Sequence, residues 1–134
     1  MAINTIAVGI RNSMCDALVD AIDVGAGANG TLEIGTDAGG GAFGTLLATL
    51  DFAAKATNAF TAASAGVASD NGLADETAAV AGTAGVCRVK DCDGNILFLG
   101  TVGTSGADIN FNTVAFSTND TVSVTSMTIT MPAS

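Results

Sequence analysis

Side chains able to carry out catalysis are scarce in this sequence. The chain has 134 residues and no histidine, which excludes Ser-His-Asp and Cys-His nucleophiles and histidine-ligated metal sites. An enzyme would have to use Cys87 or Cys92 as its nucleophile. Asp70, Asp75 and Glu76 lie close in sequence, but neighbouring acids in a loop of Gly, Ala and Asn most often form a solvated edge. We predict no catalytic residues and no enzymatic activity.

Two short motifs imitate ligand-binding loops. Residues 25–30 spell G-x-G-x-x-G, but they follow a predicted helix and open a strand, whereas a dinucleotide loop follows a strand and opens a helix. Residues 91–95 (DCDGN) resemble the start of a calcium loop. An EF-hand then needs Gly and Glu where this chain has Ile96 and Val102. We therefore predict no cofactor and no metal ion.

The three cysteines, Cys15, Cys87 and Cys92, are predicted to be small buried side chains. An odd number without regular spacing is not typical of a disulfide framework. On one extended strand Cys87 and Cys92 would lie on opposite faces, about 16 Å apart at roughly 3.3 Å per residue, which is too far for a disulfide.

The charge of the chain limits its partners. Thirteen acidic and four basic residues give a net charge of −9, and the isoelectric point is about 4.1. Such a surface repels phosphate backbones, so we expect no direct nucleic-acid binding. The sequence has neither a basic amphipathic face nor an apolar run of about 20 residues, so we expect no membrane contact. The N-terminus lacks the features of a signal peptide, so we expect synthesis in the cytoplasm without export.

Arg88 and Lys90 are the candidate interface residues of the sequence. They are two of only four basic residues, and their i, i+2 spacing on a predicted strand places both on one face. The favoured interpretation is a solvent-exposed sheet face on which they balance neighbouring acids. The alternative is an interface that receives acidic residues of a partner.

The predicted core is thin for a chain of this length. Hydrophobic residues make up 49% of the chain, but there are only six Phe and neither Trp nor Tyr. Burial of apolar surface stabilises a fold by about 25 cal/mol per Å². Because an alanine side chain has little apolar area, each buried alanine adds little to the stability. Self-association is a common remedy for such a core, so we expect an oligomer.

The pattern of apolar residues predicts one helix followed by strands. Ile10, Met14, Leu18 and Ile22 form an i, i+4 stripe over about residues 8–24, which we expect to pack on its own domain. Beyond Gly25, apolar and polar residues tend to alternate, which is the two-residue period of β-strands. The strand candidates are residues 31–36, 46–52, 58–64 and 108–114, a hairpin around Asp93-Gly94 within 85–100, and the alternating tail 121–131. Residues 75–81 are ambiguous between helix and strand.

These elements predict a mainly β chain in a single domain, 1–134. Strands at hairpin spacing indicate an antiparallel β-sandwich or jelly-roll-like body over about residues 31–131, with one N-terminal α-helix over about 8–24. The glycine-rich run 100–108 (GTVGTSGAD) is expected to be a tight corner between two strands rather than a ligand loop.

Several short runs are spread along the whole sequence: 11–17 (RNSMCDA), 47–50 (LATL), 59–60 (AF), 81–84 (AGTA), Arg88 with Asp91, 100–108 (GTVGTSGAD), and 122–130 (VSVTSMTIT). Together they resemble a family of small structural proteins of tailed bacteriophages. The resemblance covers nearly the whole chain, and the 100–108 run is its most specific part. Cys87, Cys92 and Lys55 depart from the usual pattern of the family.

The resemblance implies a virion component without catalytic residues. The expected role is a decoration (cement) protein on the capsid surface, a homotrimer that bridges subunits of the major capsid protein. The alternative is a tail or head-fibre component that contacts the host surface. The small size and acidic composition of the chain suit the first role.

Overall fold

Residues 5–133, which the computed structural model describes, form one α-helix followed by short β-strands. The helix α1 is Val8–Asp20 and continues into a 3-10 turn, Ala21–Asp23. The prediction of a mainly β chain with one N-terminal helix is therefore confirmed. The strands are β1 (Thr31–Asp37), β2 (Phe43–Asp51), β3 (Val67–Ser69), β4 (Glu76–Thr77), β5 (Gly82–Thr83), β6 (Val86–Lys90), β7 (Ile96–Gly103), β8 (Ile109–Asn110), β9 (Ala115–Phe116), β10 (Thr121–Val122) and β11 (Thr128–Thr130).

A central sheet contains the four longest strands. Its order is β2-β1-β6-β7-β8, and all neighbours are antiparallel except β7 and β8, which are parallel. Three two-stranded ladders accompany it: β10 with β4, β11 with β3, and β5 with β9. The sheets are thus rich in antiparallel pairs, as expected from strands at hairpin spacing.

One face of the central sheet lies on the hydrophobic core. Leu32 and Ile34 of β1 are fully buried, because alternate residues of a strand point to the same face. Leu50 and Val89 are the cross-strand partners of Leu32 on either side and are also buried. The helix contributes Cys15 among others to the same cluster. We call this side of the sheet the inner face.

The helix lies rotated from the predicted orientation. Its buried residues are Cys15 and Val19, followed by Ile22 in the 3-10 turn. Ile10 is 57% exposed and Met14 is 43% exposed, so the prediction that the whole stripe packs on its own domain is wrong for its first half.

Polar side chains of the helical segment explain this rotation. Three of them accept hydrogen bonds from the backbone of residues 59–66, which orients the polar side of the helix toward that segment. The strand predicted for residues 58–64 is reduced to two isolated bridges to the β3 segment, because the amides of Ala59 and Ala63 are bound to the helical segment instead of to a strand. The bonds run from Gly66 to Asn12 (2.7 Å), from Ala63 to Asp16 (2.6 Å) and from Ala59 to both carboxylate oxygens of Asp23 (3.2 Å each).

The predicted hairpin around residues 93–94 forms between β6 and β7. Val89 lies opposite Phe98, as expected. The predicted two-residue loop is wrong, because Lys90 rather than its successor lies opposite Ile96 and the register shifts by one residue after Val89.

The loop between β6 and β7 is longer than the predicted two residues because the side chain of Asp91 holds it together with hydrogen bonds. The Asp91 carboxylate accepts the amide hydrogens of Asp93 and Asn95, both at 2.9 Å. The amide of Gly94 donates to the Asp91 carbonyl at 3.1 Å, and its φ of 84° requires glycine. This is a three-residue loop with a left-handed glycine, which is the next most common hairpin type.

The glycine-rich run 100–108 is part strand and part corner. Its first four residues belong to β7, and the corner proper begins after Gly103. Asp108 closes it: its carboxylate accepts the amide and hydroxyl hydrogens of Thr101 at 2.8 and 3.0 Å, and its own amide donates to the Thr101 hydroxyl oxygen at 3.0 Å. After the corner, β8 runs parallel to β7, with Ile109 opposite Val102 and Asn110 opposite Gly103.

The tail 121–131 changes partner along its length. Its first strand, β10, pairs with β4, and its last, β11, pairs with β3. Val122 and Val124 are buried, whereas Met127 and Ile129 pack partly buried against the core, so the parity of the buried positions switches in between. A single continuous strand cannot do this, and the tail is accordingly broken over residues 123–127.

Gly30 is predicted to be essential for packing. A Cβ atom there would lie 2.5 Å from Cγ2 of Ile22 and 2.6 Å from the carbonyl oxygen of Lys90. We expect Gly30→Ala to lower the free energy of unfolding by about 2 kcal/mol in urea denaturation. Gly9→Ala is the control: its Cβ meets nothing within 4 Å, and alanine in a helix should add about 0.5 kcal/mol. Equal effects of the two changes would contradict this description of the packing.

Candidate binding face

Arg88 and Lys90 lie on the side of the central sheet opposite the core. Glu33 is the direct cross-strand partner of Arg88 and therefore shares this side. Among residues 5–133, no helix is long and apolar enough to cross a membrane. The outer face, as we call this side, presents Glu33, Phe43, Leu46, Arg88, Lys90, Ile96 and Leu99.

Glu33 joins the two basic residues. Its Oε1 atom lies 2.6 Å from Nε of Arg88 and 2.9 Å from Nζ of Lys90. The side chain of Glu33 is only 8% exposed, whereas those of both cations are 21% exposed. Burial raises the pKa of Glu33, but hydrogen bonds from Lys90 and Arg88 outweigh it, so the pKa lies below its ordinary value. The acid that balances Arg88 and Lys90 is therefore in their own chain.

An aromatic ring holds Arg88 in place. The guanidinium carbon lies 3.9 Å from the centroid of the Phe43 ring, a cation–π geometry. The ring fits because Gly35, two residues along β1 from Glu33, leaves room for it: a Cβ there would clash with the Phe43 ring. Arg88 is thus fixed from two directions, by Glu33 and by Phe43.

The guanidinium group keeps hydrogen-bonding capacity. Arg88 reaches Glu33 through Nε, and within residues 5–133 the structure gives its two terminal nitrogens no acceptor. A planar guanidinium with free terminal nitrogens suits a carboxylate of another molecule.

Large apolar side chains surround this charged centre. Leu46 is 38% exposed, Leu99 46% and Ile96 51%. Leu99 lies directly opposite Arg88, and Ile96 lies opposite Lys90. Together they give the outer face an apolar margin around a charged centre that Glu33 and Phe43 hold in place.

The neighbouring acids Asp70, Asp75 and Glu76 have different surroundings. The Asp70 carboxylate accepts the amide hydrogens of Gly72 at 2.8 Å and of Met127 at 2.5 Å, which anchors the C-terminal tail. Asp75 and Glu76 are exposed. In the described part of the chain, no group of three or more Cys, Asp or Glu side chains is arranged to hold a metal ion.

The calcium-like motif serves the hairpin instead. Asp91 is occupied by the turn, and Oδ1 of Asp93 accepts the amide hydrogen of Ala26 at 2.8 Å. This bond ties the G-x-G-x-x-G segment to the hairpin, where Gly27 comes against the carbonyl oxygen of Cys92. Both ligand-like motifs are therefore parts of one packed junction.

The cysteines are unpaired and poorly suited to nucleophilic chemistry. Cys15 and Cys87 are buried, as predicted, and Cys92 is half-buried. Burial, with a smaller effect from the nearby Asp108 carboxylate, raises the pKa of Cys87 to about 11. Burial likewise raises the pKa of Cys92. A thiol that stays protonated near pH 7 is a weak nucleophile.

Comparison with known proteins adds no relative, since no protein-family model, curated protein or solved structure matches this chain. The outer face is accordingly interpreted from its own geometry.

Glu33 is predicted to make stability depend on acid pH. Its pKa in the folded chain is below the ordinary value of 4.5, so its contribution is complete above that pH and disappears as the pH falls through the folded-state value. We expect the free energy of unfolding of wild type to exceed that of Glu33→Gln by about 1–2 kcal/mol at pH 7, and this difference to shrink as the pH falls below 4.5. Denaturation curves from pH 2 to 7 measure this.

The exposed Glu76 provides the matched control. Glu76→Gln should follow the wild-type pH profile of unfolding free energy. If Glu33→Gln runs parallel to wild type over the whole range, the ion pairs on the outer face do not contribute to stability.

Proposed function

We propose that this chain is a non-enzymatic structural protein of a virus particle. Its role is that of a decoration protein, which binds the outside of the capsid and bridges subunits of the major capsid protein. The observation that carries the proposal is the outer face, where Leu46, Ile96 and Leu99 surround the fixed Arg88–Glu33 pair.

The outer face suits contact with an acidic site of the capsid. The free terminal nitrogens of Arg88 would bind a carboxylate of the capsid protein, and the apolar margin would be covered at the same time. A contact of standard size buries roughly 1,600 Å² in total. Repeated across the shell, many such contacts would resist the pressure of packaged DNA.

The proposal includes the finer architecture and the oligomer. The central sheet and the smaller ladders would form a jelly-roll-like sandwich, and three chains would associate around the capsid's local symmetry axis. Support for association comes from the exposed half of the helix, where Ile10 and Met14 lack cover within the described residues.

Quantitative mass spectrometry of purified phage particles tests this function. A decoration protein should be present at a copy number near that of the shell lattice, and it should be released without loss of the tail. A handful of copies per particle would refute the decoration role and favour the tail or head-fibre alternative. Absence from the particle would refute both.

A further inference from the structure

A cleft of about 510 Å³ lies beside the free edge of β7, mainly on the inner face, and Leu99 at this edge borders it. Cys87, Val89 and Phe98 line it from the sheet, while Phe111 and Val124 belong to the facing segments. Its volume lies within the usual range of ligand sites. Its lining is mixed: apolar side chains of the sheet and of Phe111 face a polar rim formed by Asp108, Asn110 and the Ser and Thr residues of 123–128. We call it the β7 cleft.

The cleft adjoins a strand edge that is open. In the described chain, β8 pairs with β7 only at Val102 and Gly103, so residues 96–101 have no strand on that side. The amide of Val102 donates to the backbone carbonyl of Gly85 on the β6 side. The amide of Thr101 points the other way and donates to the side-chain carboxylate of Asp108. Because these directions alternate along a strand, the amide and carbonyl of Leu99 also point to the open side.

An open strand edge beside a cleft of mixed lining favours one kind of ligand over others. A small apolar molecule would fill the cleft but leave the Leu99 backbone groups unpaired. An extended peptide satisfies both, because its backbone pairs with the edge and alternate side chains enter the cleft.

The charge around the cleft indicates the composition of that peptide. Asp108 lines it and is exposed, and none of the four basic residues of the chain is among its lining residues. The chain as a whole carries a net charge of −9. A segment with a lysine or arginine near Asp108 complements this site, whereas an acidic segment is repelled.

We propose that the β7 cleft binds an extended segment of another protein, which adds a strand at Leu99. The segment has apolar side chains at alternate positions and a basic residue that faces Asp108. This proposal does not rest on the proposed capsid role, since its test uses the isolated chain, although Leu99 at the edge of β7 borders both the cleft and the outer face.

Selection from a library of random nine-residue peptides tests the proposal. The immobilised full chain is the bait, and peptides that also bind Ser126→Trp, in which an exposed residue lining the cleft is enlarged, are removed. We expect the selected peptides to alternate apolar residues and to contain Lys or Arg. Failure to recover any peptide that depends on the cleft would overturn the proposal.

N-methylation of the best selected peptide separates strand pairing from simple apolar binding. Methyl groups on the amides that face β7 should weaken binding to the wild-type chain at least tenfold in fluorescence anisotropy. Methyl groups on the other amides should change the affinity less than twofold. Equal sensitivity at all positions, or none, would overturn strand addition, and this measurement does not depend on whether Ser126→Trp folds.

Asp108→Asn tests the basic residue of the peptide. The selected peptide should bind this variant about threefold more weakly, as is usual for an exposed charge pair, and its Lys-to-Gln analogue should show no such difference. Stronger binding to Asp108→Asn would contradict the predicted charge of the segment.

Discussion

Replacing Leu32 with alanine is expected to lower the free energy of unfolding by about 3 kcal/mol or more. Leu32 is fully buried at the centre of β1, between Leu50 on β2 and Val89 on β6. The change removes apolar area and leaves a cavity, and both terms destabilise the fold. The loss is large against a total stability of about 5–15 kcal/mol. Urea denaturation followed by circular dichroism measures it.

Leu99 provides a control with the same side chain in a different place. Because Leu99 is 46% exposed on the outer face, Leu99→Ala should cost less than about 1 kcal/mol. If the two alanine variants were equally destabilised, Leu99 would belong to the core and the outer face would not be available to a partner.

The second large effect is expected on binding rather than on folding. The double variant Ile96→Ser and Leu99→Ser removes two apolar side chains beside Lys90 and Arg88 without touching the charged pair. Burial of the exposed half of each side chain against the capsid should contribute about 1 kcal/mol to the binding free energy, or about 2 kcal/mol for the pair. The double variant should therefore bind particles lacking the protein about 30-fold more weakly. Re-addition of purified protein to such particles, with quantification of the bound copies, measures this.

Two exposed valines outside the helix and the central sheet supply the matched control. Val24→Ser with Val80→Ser changes two apolar side chains of similar exposure, 60% and 45%. This variant should bind the capsid like wild type. The opposite result, in which the control variant loses binding and the sheet variant keeps it, would place the capsid contact outside the outer face.

The elements that could be predicted from sequence are those with local signals. The Asp93-Gly94 pair located the β6–β7 hairpin, since Gly94 supplies the positive φ that the loop needs. Its loop length could not be predicted, because it depends on the hydrogen bonds that Asp91 accepts from the amides of Asp93 and Asn95. In the same way, alternation predicted β1 and β2 but not the bulges in their pairing.

The elements that were mispredicted depend on contacts between distant residues. Residues 58–64 have the composition of a strand, but the carboxylates of Asp16 and Asp23 bind two of their amides. The same contacts turn the helix so that Ile10 faces outward. Neither Asp16 nor Asp23 carries a signal that distinguishes it from an ordinary solvated acid.

The candidate site could be predicted in part. The i, i+2 spacing of Arg88 and Lys90 was enough to place them on one face, but Glu33 and Phe43 were missed. Glu33 has one signal in the sequence: it lies between Leu32 and Ile34, so it must point away from the core. Its pairing with Arg88 depends on strand register across 55 residues of chain, which alternation alone does not determine.

The most direct test of the central claim is a cryo-electron microscopy reconstruction of the purified phage particle. The structure described here should fit density on the outside of the head, in many copies, with Arg88, Ile96 and Leu99 of the outer face turned toward the capsid protein. Density that places the outer face toward solvent, or that locates the chain only in the tail, would contradict the claim.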